Sequence, residues 1–243
     1  MKIHVITAFP NLFVGPLDES IIKRAREKQL VEIYLHDLRD YSSDRHRRID
    51  DYPYGGGPGM ILKAEPIFNC IESVLEKYQI HNPHLIYLTP QGQRYNQAKA
   101  KELAQQEHLI LLCGHYKGVD ERVREFWQMD EISIGDYVLT GGELPALVII
   151  DSVVRLIPGA ISDLDSAKTD SFYQNLLDCP YYTRPEVFRG MAVPSVLLSG
   201  HHAEIEKWRK NESIKRTLKV RPDLLNQAND IIHVEISNDE EKA

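Results

Sequence analysis

The sequence predicts an α/β fold: a mainly parallel sheet covered by helices on both faces, followed by a smaller helical domain. Three observations carry this. Short runs of β-branched residues and leucine alternate with segments of helical period. Several of the strand-like runs end in glycine-containing turns. After Pro158 the composition changes, strands become sparse and basic residues accumulate.

The elements follow in chain order. Ile3, Val5 and Ile6 begin a strand that ends at Phe9-Pro10. Ser20 to Lys28 has helical character, and Val31, Ile33 and Leu35 alternate as a second strand. A long polar, glycine-rich loop follows from about Arg39 to Gly59, a length that is uncommon without a function. Ala64 to Tyr78 is a helix with Ile67, Ile71, Val74, Leu75 and Tyr78 on one side. Leu85 to Leu88 is a buried strand closed by Thr89-Pro90-Gln91-Gly92, and a helix covers Gln97 to Gln106. Leu109 to Leu112 is a strand closed by Cys113-Gly114, Asp120 to Met129 is helical, and a long helix runs from Leu144 to Leu156. Pro158-Gly159 stops it. Beyond lie a polar linker and a helix over His202 to Lys210, with Ile205 and Trp208 on one face. The expected domains are residues 1–160, a linker over 161–171, and a helical domain over 172–243.

Formal charge is −7, from 36 acidic and 29 basic residues. A nonspecific nucleic-acid binder is usually basic overall, but binding depends on where the positive charge sits. Residues 184 to 221 hold nine Lys or Arg against four acids, and Arg39, Arg45, Arg47 and Arg48 form a second cluster around His46. Each cluster is either a solvated face or part of a nucleic-acid surface. Acids collect at Glu235, Asp239, Glu240 and Glu241. Cys70, Cys113 and Cys179 have neither metal-ligand nor disulfide spacing, which suits a reducing compartment. Met1 to His4 opens directly on an apolar strand without a signal-like segment, and no uncharged apolar run approaches about 18 residues, so a cytoplasmic location is expected.

Ligands of open α/β sheets bind beyond the carboxyl ends of the strands. Three segments qualify: Thr89 to Gly92, Cys113 to Gly118, and Ser133 to Glu143. They are either close-approach sites for a ligand or ordinary tight turns. None is a dinucleotide fingerprint or a phosphate-binding loop. Gly55-Gly56-Gly57-Pro58-Gly59 is either a floppy surface loop or a lid. Arg155 suits a pair with Asp151 at i,i+4, and Asp170 a helix N-cap or a solvated acid. His201 and His202 lack further ligands at zinc spacing, and no metal site is assigned.

Several of these segments form long ordered motifs: Asp44 to Met60, Ser133 to Pro145, Asp151 to Arg155, Asp170 to Phe172, Leu177 to Pro180, Tyr182 to Val187 and Ser199 to Ile205. Together they resemble the bacterial tRNA (guanine-N1)-methyltransferase family, TrmD, over nearly the whole chain. The resemblance implies a SPOUT-type fold with a deep trefoil knot, an exception to ordinary topology rules. It implies transfer of a methyl group from S-adenosylmethionine to N1 of guanosine 37 of tRNA, immediately 3′ of the anticodon, by a homodimer with active sites at its interface. Magnesium dependence is also implied, with no carboxylate cluster marking a site. The cofactor positions carried over are Tyr87, Leu88, Thr89, Pro90, Gly92, Gly114, Tyr116, Gly118, Ile134, Gly135, Tyr137, Leu139, Gly141, Gly142 and Pro145. By the same resemblance Asp170 removes the N1 proton and Arg155 stabilises charge on O6. Arg45, His46, Arg184, His202, Lys215 and Arg216 are the expected RNA contacts. Two positions depart from the family pattern: His115 stands where Arg is common, and Lys117 where Glu is common. The rival readings are a ribose 2′-hydroxyl methyltransferase of the same fold and a noncatalytic RNA-binding protein.

Overall fold

A computed structural model describes residues 1–161, 170–173 and 175–225. The chain divides into two compact units, Met1–Ser162 and Asp163–Ala243.

The first unit carries strands β1 (Lys2–Thr7), β2 (Glu32–Asp37), β3 (Asp50–Asp51), β4 (Ile61–Leu62), β5 (His84–Arg94), β6 (His108–Cys113) and β7 (Asp130–Ser133). Its helices are α1 (Ser20–Glu27), α2 (Ala64–Tyr78), α3 (Gln97–Leu103), α4 (Glu121–Trp127) and α5 (Glu143–Val154). Five strands form one sheet in the order β2-β1-β6-β5-β7, and every neighbouring pair is parallel. Both faces are covered, as the unbroken apolar strands require. The two-residue side-chain period divides the strands between two cores. Ile3, Val5, Ile86, Leu109 and Leu111 pack toward α1, α3 and α5. Ile6, Tyr87, Ile110 and Leu112 pack toward α2 and α4.

The bounds of α2 match the expectation, and Ile67, Ile71 and Val74 are buried. Its C-terminus closes on Gln79 in the left-handed conformation. Several expectations change. β5 does not end at Leu88: Leu88 and Gln93 both pair with Ile132, so Thr89 to Gly92 bulge out and the strand resumes to Arg94. The helix after it stops at Leu103. β7 was not anticipated as a strand, because Asp130 and Glu131 are polar; each is held by side-chain pairing, Asp130 with Lys99 and Glu131 with Arg124. Leu35 lies on an edge strand and is 37 % exposed, so the alternation of β2 does not mark a fully buried face.

The long loop after β2 is partly structured. Leu38–Tyr41 is a 3-10 turn, and β3 pairs antiparallel with β4, closing the loop at its base. Gly55, Gly56, Gly57 and Gly59 all have positive φ, which explains the run of glycines.

In the second unit β8 (Val187–Phe188) and β9 (Met191–Ala192) form a short hairpin, followed by α6 (Ser195–Leu198) and α7 (His202–Val220). α7 runs ten residues past the expected end at Lys210, a bound that its solvated charges do not mark. Thr217 is fully buried and pins the preceding segment: its hydroxyl accepts from Leu177 N–H at 2.9 Å and donates to the Ser213 carbonyl at 2.7 Å. Most of the expected linker and the acidic residues from Glu235 onward lie outside the described residues. No helix among the described residues is long and apolar enough to cross a membrane.

Candidate active site

The carboxyl ends of β5, β6 and β7 open onto one cavity of about 510 Å³ in the first unit. Three chain segments wall it. Tyr87 to Gln91 come from the end and bulge of β5, Gly114 to Val119 follow β6, and Ile132 to Gly142, except Asp136, come from the end of β7 and the loop after it. Pro145 on α5 closes one side, and Glu121 and Arg124 of α4 reach the rim.

Close backbone approach builds this cavity. Gly142 N–H donates to the Gly114 carbonyl at 2.8 Å, joining two of the walls. A Cβ at Gly142 would lie 2.7 Å from Cys113 Cα, so backbone leaves that position no room for a side chain, and one at Gly141 would lie 2.3 Å from Glu143 Oε2 and displace the Glu143 side chain. Behind them Glu143 is 2 % exposed. Thr7 Oγ1 donates to its Oε1 at 2.7 Å, and His115 Nε2 lies 3.6 Å from its Oε2. Thr7 also accepts from Phe9 N–H at 2.9 Å, and the His115 ring packs on Phe9 with centroids 4.6 Å apart. A buried carboxylate thereby ties the end of β1 to both glycine-rich walls.

The rim is polar. Arg124 clamps Glu131 through two 2.8 Å bonds and reaches Glu121 and Gln91 at 3.0 and 3.2 Å. The hydrogen bonds to Glu131, with the charge of Glu121 nearby, push the guanidinium further above its ordinary value. Burial raises the Tyr87 phenol, and burial with a hydrogen bond to Asp50 raises that of Tyr116, so both stay neutral donors. Lys117 N–H donates to the Met60 carbonyl at 3.0 Å, joining the base of the glycine loop to this wall.

Fourteen of the fifteen expected cofactor positions line the cavity. Gly92 does not: a Cβ there would lie 2.4 Å from the Glu131 carbonyl carbon, so its place is against β7. His115, Lys117 and Arg124 line the cavity without having been assigned a role. The glycine motif itself flags the first two, whereas Arg124 is positioned by partners on β5 and β7 that local spacing does not reveal.

Arg155 follows α5, half-buried, with its N–H donating to the Asp151 carbonyl at 3.2 Å. Asp170 belongs to the second unit, half-buried in a turn whose Tyr173 N–H donates to its carbonyl at 3.2 Å. Arg45 and His46 are exposed on a turn organised by Asp44, which accepts from His46 N–H at 2.7 Å and pairs with Arg48. Arg184, His202 and Lys215 are exposed. Arg216 donates to the Asp178 carbonyl at 3.2 Å, and Lys215 pairs with Glu212 at 3.0 Å. Among the described residues one group has the make-up of a metal site, His84, Glu102 and Asp130. The Lys99 ammonium sits there, 2.6 Å from Asp130 and 2.8 Å from Glu102, so the group does not fit a divalent cation.

Comparison with known proteins agrees with this architecture. The chain matches the family model "tRNA (Guanine-1)-methyltransferase TrmD" over residues 1–227. It is 56 % identical to the tRNA (guanine-N(1)-)-methyltransferase of Dehalococcoides mccartyi over 225 residues, 93 % of this chain and 90 % of that protein. The enzyme of the same name from Shouchella clausii is 57 % identical over 225 residues, 93 % and 91 % of the two chains. That from Clostridioides difficile is 50 % identical over 230 residues, 95 % of this chain and 100 % of its own. A match of this extent, on a parallel sheet with its cavity at the strand ends, places the chain in the TrmD family of tRNA (guanine-N1)-methyltransferases.

Proposed function

We propose that this chain transfers the methyl group of S-adenosylmethionine to N1 of guanosine 37 in tRNA, immediately 3′ of the anticodon and preceded by another guanosine. As a member of its family it is an S-adenosylmethionine-dependent tRNA methyltransferase. The single observation that carries the finer reading is the convergence of three backbone walls on one cavity at the strand ends. Its size, its glycine-edged walls and the apolar Leu139 and Pro145 fit a nucleoside carrying a short chain. S-adenosylmethionine, when bound, supplies a methyl on a positively charged sulfur. In this reading the three walls belong to the deep trefoil knot of the SPOUT fold, and residues 172–243 form the tRNA-binding domain behind a linker over 161–171. Two chains form a homodimer with each active site at the interface.

The chain's own residues then divide the work. Guanine N1 carries a proton at neutral pH and is a poor nucleophile. The Asp170 carboxylate takes that proton, and the freed electron pair on N1 forms the bond to the methyl carbon as the carbon–sulfur bond breaks, its electron pair staying on the sulfur of the departing S-adenosylhomocysteine. Negative charge developing on O6 is met by the Arg155 guanidinium. Arg45, His46, Arg184, His202, Lys215 and Arg216 hold the RNA by phosphate and edge contacts. The target base leaves its stack to expose N1.

The test is incubation of the purified chain with labelled methyl donor and unmodified tRNA, then with tRNA altered at the guanosine next to the anticodon. Label that appears on N1 and vanishes with that base is the expected result; label on a ribose, or none, overturns the reading. Asp170→Asn abolishes turnover while calorimetric affinity for S-adenosylhomocysteine stays within about twofold. Near-normal N1 methylation by Asp170→Ala removes the base assignment.

A further inference from the structure

The second unit holds a cavity of its own, about 400 Å³, between the segment from Pro180 to Glu186 and the helices α6 and α7. Its chemistry is mixed in a particular way. The floor is aliphatic, from Val193, Leu197 and Ile205. The mouth carries Tyr182, 48 % exposed, with its ring centroid 6.4 Å from that of Trp208. Two guanidiniums, Arg184 and Arg209, stand at the wall, and neither forms an ion pair or hydrogen bond among the described residues. The Glu186 side chain lies beside them without an ion pair among the described residues.

Arginines left unpaired beside an exposed aromatic ring are poised for a ligand with a planar face and an anionic group. An aliphatic floor with a tyrosine edge takes a base by stacking, and guanidiniums take phosphate by paired N–H donors. The size suits one unstacked nucleotide. Glu186, an acceptor only, favours a base edge that offers N–H donors. We infer that this cavity is a subsite for one unpaired nucleotide of the RNA, stacked on Tyr182 with its phosphate on Arg184 and Arg209. The inference rests on the tRNA reading above and names a contact that reading leaves open.

The test uses the full chain with Trp127→Phe, which leaves Trp208 as its one tryptophan. Transfer RNA quenches Trp208 emission. Tyr182→Ala raises the Kd for tRNA about tenfold, the loss expected of one stacked base. Tyr182→Phe stays within about twofold of the parent, while Tyr182→Leu binds as weakly as the alanine variant. Arg209→Gln weakens binding across tRNA sequences and lowers the slope of log K against log salt by about one. Full retention by Tyr182→Leu overturns stacking. An unchanged Kd in Tyr182→Ala, with tRNA still methylated, overturns the subsite and leaves the methyl-transfer reading standing. A parent chain that neither binds nor methylates tRNA ends that reading and this one together. Quenching by a free 5′-mononucleotide, with tRNA affinity indifferent to Tyr182, assigns the cavity to soluble nucleotide and overturns the RNA subsite.

Discussion

Glu143 is the residue on which the shape of the cavity turns. Its carboxylate is buried, and its oxygens face Thr7 at 2.7 Å and His115 at 3.6 Å. Only the first is a hydrogen bond by distance. Glu143→Ala leaves the Thr7 hydroxyl without its acceptor and opens space beneath Gly141; we expect a loss of roughly 3 kcal/mol in urea unfolding. Glu143→Gln keeps the bond from Thr7 and costs about 1 kcal/mol. Equal losses would mean that packing, not the acceptor, is what counts. Arg155 is a different kind of residue, argued from reaction chemistry. Arg155→Ala lowers kcat more than it raises the Kd for tRNA; a purely structural arginine would instead lower the unfolding midpoint and affect both alike.

Elements decide how close the cavity walls come. The loop before α5 passes so near the end of β6 that a Cβ at Gly142 meets Cys113 Cα at 2.7 Å and Gly114 N at 2.8 Å. Gly142→Ala therefore pushes two walls apart. Strain of this kind costs about 1–3 kcal/mol, so affinity for S-adenosylhomocysteine falls at least about fivefold by calorimetry. An unchanged affinity would show that the wall yields without disturbing the ligand. The sequence made such walls legible as glycine-rich segments after apolar runs, because glycine placement is a local demand. α2 was legible to the residue, since Ile67, Ile71 and Val74 repeat at helical spacing and all three are buried. β7 was not, because a strand whose polar residues are held by Arg124 and Lys99 owes its place to partners distant in sequence. The true position of Gly92 was hidden for the same reason: it depends on the resumption of β5 beside β7, which no local pattern records. The length of α7 escaped because its exposed charges carry little periodicity, while the residue that anchors it, Thr217, is a single polar side chain.

At the scale of the whole molecule, stability should respond to acid through a site remote from the cavity residues. His4 on β1 is fully buried, and its Nδ1 lies 3.2 Å from Nε2 of His36 on β2, a bond that needs one ring to donate and the other to accept. Tyr34 stacks on His4 at 5.0 Å and Tyr78 packs edge-on at 4.4 Å. Burial, with the nearby His36, His108, Lys2 and Lys77, pushes His4 down to about 3; burial and Lys77 push His36 down to about 4. Both rings are thus neutral in the folded chain through the mildly acidic range, while in the unfolded chain they titrate near 6.5. The sign follows: above about pH 6.5 neither state binds these protons and the stabilisation is whole. As pH falls below 6.5 the unfolded state alone takes them up, and stability is lost until the folded rings titrate near 4 and 3. Two protons set the limiting slope at about 3 kcal/mol per pH unit from these rings. Urea unfolding at pH 7.0, 6.0 and 5.0 measures it, and His36→Asn should remove about half of the slope. A variant that loses stability between pH 6 and 5 as steeply as the parent would assign the acid sensitivity to carboxylates elsewhere and leave the buried rings as passive packing.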